Sequence, residues 1–301
     1  MKPLKSVVAI VLLALFSGAH ASESAASIGD GYFTTDDGAR IHYLQAGQDH
    51  AAPALVLIPG WTLTASLWRE QLQRFSQHRR VIAVDSRSQG ESSIMLTGNT
   101  PERRAQDLHA LLASLHVERC VLVGWSQGAQ DVAAYVQQFG TASLAGVVFV
   151  DSPVSAGTNE LDIRKEFSKA ILSGLSRYAA HPADYSAGMV RSIFKRPPAD
   201  IDQVIAQAQR TPPAVGAAML TADIFGADRR PALAKIDRPA LVIAAGESPL
   251  LDAQKEMAAA IRGARFVMVP DTRHAVFVDD PRAFDGALES LLETADSVHS
   301  P

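Results

Sequence analysis

A chain of 301 residues, 47% hydrophobic and 20% charged, is long enough for one or two domains around a sizeable core. That composition excludes a low-complexity chain, and a formal net charge of −4 gives no basis for a nucleic-acid partner. A single cysteine, Cys120, excludes an intramolecular disulfide, so stability has to come from packing.

At the amino terminus, Lys2 and Lys5 precede an unbroken apolar run over residues 7–16, and Ala19-His20-Ala21 follows. A positive start, a short apolar centre and a small-residue end form the pattern of a signal peptide cleaved after Ala21. As a helix the apolar run reaches only about 15 Å, roughly half the hydrocarbon thickness of a bilayer. The expectation is an exported protein, periplasmic or secreted, with no stable membrane anchor after cleavage of residues 1–21.

Residues 31–35 and 40–44 are β-prone runs around Asp36-Asp37-Gly38, and an Asp-Gly pair in that setting predicts a hairpin. Short apolar runs then alternate with longer helical stretches. Leu55-Val56-Leu57-Ile58, Val81-Ile82-Ala83-Val84, Val121-Leu122-Val123, Val147-Val148-Phe149-Val150, Leu241-Val242-Ile243-Ala244 and Phe266-Val267-Met268-Val269 are too short and too continuously apolar for surface strands. They suit strands covered on both faces. Between them, Leu108, Leu111, Leu112 and Leu115 recur at helical spacing, as do Phe284, Leu288, Leu291 and Leu292 after a helix-starting Pro281. Strands alternating with helices predict an α/β fold with a mainly parallel sheet, whose ligands bind beyond the carboxyl ends of the strands. Cys120, inside an apolar stretch, reads as a buried inert thiol. The pairs Arg79-Arg80, Arg103-Arg104 and Arg229-Arg230 read as solvated charges.

The connection from Ser152 to Pro239 is far longer than a crossover requires. It carries a helical pattern at Phe167, Ile171 and Leu175, with breakers at Pro182, Pro197-Pro198 and Pro212-Pro213. This predicts a helical cap over residues 154–235, inserted into a core formed by residues 22–153 and 236–301.

Gly124-Trp125-Ser126-Gln127-Gly128 falls between a predicted buried strand and a predicted helix. A strained turn there lifts a serine oxygen above the sheet, and small neighbours are needed where helix and strand backbones crowd. A serine hydroxyl needs a base. Of nine histidines, His274 alone sits in the loop between the last predicted strand and the terminal helix.

With these residues the chain resembles the α/β-hydrolase superfamily, in particular its serine esterase and non-haem-haloperoxidase-like members. The resemblance extends to Ile58-Pro59-Gly60-Trp61, to Asp85-Ser86-Arg87-Ser88-Gln89-Gly90-Glu91-Ser92 and to residues 275–281. It departs from the family pattern at Pro59, where histidine is common, and at Ser88, where glycine is usual. The resemblance implies Ser126 as nucleophile, His274 as base, and the backbone N–H groups of Trp61 and Gln127 as the oxyanion hole. The usual acid, just after the strand ending at Ala244, is replaced by Pro249. Asp151, Glu247 and Asp252 all keep the chain order Ser, acid, His; Asp151 is taken first because some family members place the acid there.

The resulting expectation is hydrolysis of a small-molecule carboxylic ester through an acyl-enzyme, with no metal and no other cofactor. Trp125, Phe167, Met189, Phe194 and Phe225 are candidates for lining an acyl pocket. Serine at the nucleophile position argues against the dehalogenases and epoxide hydrolases of the superfamily, which use aspartate. Perhydrolysis, lactone opening, carbon–carbon bond hydrolysis and cofactor-free oxygenation stay open on the same residues, as does a non-catalytic binding protein.

Overall fold

The structure, a computed structural model, describes residues 27–48, 51–155 and 166–297. The proposed signal segment therefore lies outside the described residues. Strands β1 (Gly29–Thr34) and β2 (Arg40–Ala46) form the expected hairpin, with Thr34 opposite Arg40. Thr35 N–H donates to Ala39 O at 2.9 Å across the turn, and Gly38 takes the positive φ of 83° that the turn demands. Strands β3 (Ala54–Ile58), β4 (Val81–Val84), β5 (Cys120–Trp125), β6 (Leu144–Val150), β7 (Ala240–Ala245) and β8 (Arg265–Val269) complete one sheet. Its order is β1-β2-β4-β3-β5-β6-β7-β8, antiparallel up to the β2–β4 pair and parallel from there on.

Every residue of β3 through β7 is buried, which explains their lack of polar alternation. Leu55, Leu57, Val121 and Val123 feed one core, Val56, Ile58, Cys120 and Leu122 the other, as the two-residue strand period requires. The first core is closed by Leu72 and Phe75 of α1 (Arg69–Phe75) and, further on, by the terminal helix. The second is closed by Leu108, Leu111 and Leu112 of α2 (Pro101–Ser114) and by Val132 and Val136 of α3 (Gln127–Phe139). β8 departs from expectation: Arg265 and Met268 are exposed, because β8 ends the sheet and has a neighbour on one side only.

Among the described residues, four α-helices stand between β6 and β7: α4 (Glu166–Ala180), α5 (Pro182–Ser192), α6 (Ile201–Ala208) and α7 (Pro213–Phe225). Pro182 and Pro213 open α5 and α7, where the missing N–H costs nothing. Trp61, Tyr178, Val215 and Met219 form a small apolar core between these helices and the loop after β3. The last described helices are α8 (Leu251–Ala259), α9 (Val276–Asp279) and α10 (Pro281–Ser297), whose Phe284, Leu288, Leu291 and Leu292 pack as predicted. Among the described residues, no helix is long and apolar enough to cross a membrane.

The arginine pairs correct the reading from sequence. Arg79, Arg104 and Arg229 are buried. Arg79 Nη2 reaches Asp296 at 2.9 Å, Arg104 binds Asp131 and Asp223, and Arg229 Nε donates to Glu102 at 2.9 Å. Partners that distant in the chain leave no local signature.

Candidate active site

Ser126 stands between β5 and α3 with φ 55° and ψ −116°, a conformation costing an L-residue about 1–3 kcal/mol. Its N–H donates to Val150 O and its carbonyl accepts from Ala129 N–H, both at 3.0 Å, so neighbouring backbone holds the strain in place. The flanking glycines are sterically required. A Cβ on Gly124 would lie 2.2 Å from Gly128 O, and one on Gly128 would lie 2.7 Å from Ile58 O. The serine side is the open one: Ser126 is partly exposed while Trp125 and Gln127 are buried.

The parallel strands bring the remaining groups to the same end of the sheet. Asp151 follows β6 directly, with φ 44° and its N–H on Ile243 O at 2.8 Å. Its buried carboxylate accepts three hydrogen bonds: Oδ1 from Ala245 N–H and Gln254 Nε2, each at 3.0 Å, and Oδ2 from His274 Nδ1 at 2.8 Å. Burial pushes this carboxyl up, but the bonds from His274, Gln254 and Ala245 outweigh it and hold the pKa below the ordinary 3.8. An ionised Asp151 fixes Nδ1 as the donor and leaves the imidazole Nε2 lone pair free to take a proton.

His274 is anchored from several sides. Its carbonyl accepts from Trp125 Nε1 at 2.8 Å, and its ring lies 5.4 Å from the Trp125 ring, one residue before Ser126. The loop is tied to the end of α5 through Ala275 N–H on Ile193 O at 3.0 Å. Asp279 accepts from the N–H groups of Lys195, Arg196 and Arg273, each at 2.8 Å, which clamps the two segments together. The alternative acids face elsewhere. Glu247 pairs with Lys195 and with Arg273 Nε at 3.0 Å, and Asp252 is solvent-exposed beside Lys255 at 3.1 Å.

The two proposed oxyanion donors lie beside the elbow. A Cβ on Gly60 would sit 3.1 Å from Ser126 Cβ, so the loop carrying Trp61 passes directly by the serine. A tight turn, Leu63 N–H to Gly60 O at 3.1 Å with Thr62 at φ 59°, shapes that loop. Thr62 N–H donates to Gln89 Oε1, and Ala65 N–H to Asp85 Oδ1 at 2.7 Å, so the Asp85–Ser92 turn braces it. Ser88 takes φ 65°, where glycine is usual, and its Oγ accepts from Met95 N–H at 2.9 Å. Gln127 is the first residue of α3, so its N–H has no acceptor within the helix and lies at the positive end of the helix dipole.

The pocket candidates divide. Trp125 and Phe194 are core: Trp125 packs edge-on against Trp68 and Phe277, and Phe194 is buried in the same cluster. For Trp125 the reason is the elbow, which turns Ser126 outward and Trp125 inward. Phe225 is half-buried at the end of α7, and the side chain of Phe167 lies outside the described residues. Met189 lines a groove of about 520 Å³ along α5, with Arg177, His181, Tyr185 and Ser192. Sequence reasoning missed Gln254, Asp279 and Asp223. Only Asp223 left a sign, as a lone carboxylate within the otherwise apolar end of α7.

Residues 55–287 match the model of the alpha/beta hydrolase family. The chain belongs to that family. Within it the chain falls in the branch of non-heme haloperoxidases and esterases. It is 25% identical over 279 residues to a non-heme haloperoxidase of Rhodococcus erythropolis, covering 87% of this chain and 99% of the relative. It is 33% identical over 123 residues to a bifunctional esterase/perhydrolase of Acinetobacter calcoaceticus, covering 40% of this chain and 44% of that protein. That match, like several others, takes in less than two thirds of the relative's length. A bromoperoxidase from Bacillus anthracis superposes with a TM-score of 0.77 at 22% identity, covering 88% of this chain and all of that chain.

Proposed function

We propose that the protein is a serine hydrolase that cleaves a small-molecule carboxylic ester. The observation that carries this reading is the 2.8 Å bond from His274 Nδ1 to an ionised, buried Asp151, formed at the sheet end that presents Ser126. In this reading His274 Nε2 takes the Ser126 hydroxyl proton as Oγ attacks the ester carbonyl. The N–H groups of Trp61 and Gln127 stabilise the tetrahedral oxyanion, each worth on the order of 3 kcal/mol. Collapse expels the alcohol, which takes the proton from His274, and water then releases the acid by the same steps in reverse. Asp151 keeps the imidazole in the required tautomer and stabilises its cationic form.

Hydrolysis of p-nitrophenyl esters of graded acyl length tests this, together with a fluorophosphonate probe. Labelling should vanish in Ser126→Ala and survive in Cys120→Ala. Well-folded wild type that neither labels nor hydrolyses any ester would refute the reading.

A second reading, perhydrolysis, is favoured by the bifunctional relative, whose name joins it to esterase activity. Peroxide-dependent bromination in the presence of a short carboxylate would reveal it. Export belongs to the same proposal, supported by Lys2, Lys5, the apolar run and Ala19-His20-Ala21. A processed amino terminus at Ser22 in protein recovered outside the cytoplasm is the expected result; an uncleaved chain retained inside would overturn it.

A further inference from the structure

The two proposed oxyanion donors lie on separate loops, one after β3 and one after β5, yet a single helix of the insertion holds both. Trp61 Nε1 donates to the backbone oxygen of Gly216 at 2.9 Å, and Gln127 Nε2 donates to Asp223 Oδ2 at 2.6 Å. Gly216 and Asp223 both belong to α7 and are about two turns apart, so they share one face. A Cβ on Gly216 would lie 2.5 Å from Tyr178 Oη, so any side chain there would force the buried Tyr178 to shift.

The Asp223 end is built more heavily than a packing contact needs. Asp223, Gln127, Arg104 and Asp131 are all buried. The second oxygen of Asp223 accepts from Arg104 Nη2 at 2.6 Å, and Arg104 Nε reaches both oxygens of Asp131, on α3, at 2.9 and 3.0 Å. Asp223 is thus fixed by a cation that is itself fixed to the helix Gln127 begins. Gln127 Oε1 is buried without a hydrogen-bond partner, so Asp223 is what orients this amide.

We propose that α7 is a strap setting the spacing of the two oxyanion donors, and that Asp223 is a positioning residue for the Gln127 N–H. The inference rests on the Ser126 hydrolase reading. Asp223 touches no reacting atom; it acts through the Gln127 side chain on the first turn of α3. Burial pushes the Asp223 carboxyl up against the pull of Arg104 and Gln127; what suits it as a tether is that each of its oxygens is held at 2.6 Å, one by Arg104 and one by Gln127. The donors matter most when negative charge develops on the substrate oxygen. Loosening one should therefore lower kcat and leave KM nearly unchanged.

The test compares wild type with Asp223→Ala, Gln127→Leu and the double variant. Both p-nitrophenyl ester kinetics and the rate of fluorophosphonate labelling of Ser126 are measured. Gln127→Leu breaks the tether from its other end and leaves Asp223 on Arg104, so it decides the matter if Asp223→Ala fails to fold. The expected result is a fall in kcat of about 10–100-fold, below the loss from deleting an oxyanion donor outright, with KM within about twofold. The double variant should be no worse than the poorer single one, because both remove the same tether. Wild-type kcat and labelling rate in Gln127→Leu, or an effect confined to KM, would overturn the strap. Wild type that neither labels nor hydrolyses would instead remove the hydrolase reading, and the strap with it.

Discussion

Replacing Asp151 by asparagine exchanges one carboxylate oxygen for an amide nitrogen and leaves the packing intact, which makes its consequence calculable from the hydrogen bonds. Asp151 Oδ1 accepts from two donors, Ala245 N–H and Gln254 Nε2, while Oδ2 faces His274 Nδ1. The single carbonyl of the asparagine side chain would be drawn to the two donors, turning its NH2 toward the imidazole. Two donors cannot share one bond, so Nδ1 becomes an acceptor and the ring proton moves to Nε2. That tautomer cannot accept the Ser126 proton. The same inversion in a Ser-His-Asp site costs about 10⁴ in kcat, equivalent to about 5 kcal/mol of barrier. Steady-state hydrolysis of a p-nitrophenyl ester should show that loss, with little change in KM or in the urea midpoint. Glu247→Gln and Asp252→Asn should stay within about twofold of wild type, since neither carboxylate faces His274. A near-normal kcat in Asp151→Asn would refute the tautomer argument and remove Asp151 from the mechanism.

Three other outcomes follow from buried polar groups. Arg104→Ala leaves Asp131 and Asp223 buried without their cation, at a cost of about 3–5 kcal/mol in urea unfolding; Asp131, which burial already pushes up to about 7 against the pull of Arg104, should then take up a proton. An unchanged midpoint would contradict the cluster's role. His42 is bonded through Nδ1 to Asp85 at 2.8 Å and through Nε2 to Asp30 at 3.0 Å. Burial alone would lower its pKa, but these carboxylates raise it above 6.5, so its stabilisation is complete below the unfolded value and fades as pH rises through the folded one. His42→Asn should therefore cost more at pH 5.5 than at pH 9, and an equal cost at both would refute the charge argument. Cys120, with its thiol pushed up to about 12 by burial, should react with a disulfide reagent only after denaturation; rapid reaction of the native protein would place it at the surface.

What can be read in the sequence is whatever the chain writes locally. Strands β3 to β7 are legible because burial on both faces demands continuous apolar runs, and the elbow because two glycines must flank the serine within one turn. The hairpin is legible from Asp36-Asp37-Gly38 for the same reason, since its geometry is settled by adjacent residues. β8 reads as fully covered because the residues of an edge strand differ little from those of its inner neighbours. Arg104 and Arg229 read as solvated because charge is locally a surface signal, and the carboxylates that offset the cost of their burial stand on other helices.

The acid shows where local reading ends and topology takes over. Glu247 and Asp252 are close in sequence to the family's usual position, and sequence proximity alone would favour them over Asp151. The family resemblance puts Asp151 first instead, and strand order gives the physical reason. β6 lies next to β7, and Asp151 leaves β6 level with the end of β7, where Ala245 N–H can hold one carboxylate oxygen and aim the other at the loop beyond β8. Glu247 and Asp252 come after the chain has left the sheet, where long side chains meet lysine and arginine at the surface. A group that must orient an imidazole needs a rigid origin, and a strand terminus with two further hydrogen bonds supplies one. The position of Asp151 at a buried strand end, more than its distance along the chain from His274, is what supports it in the role proposed.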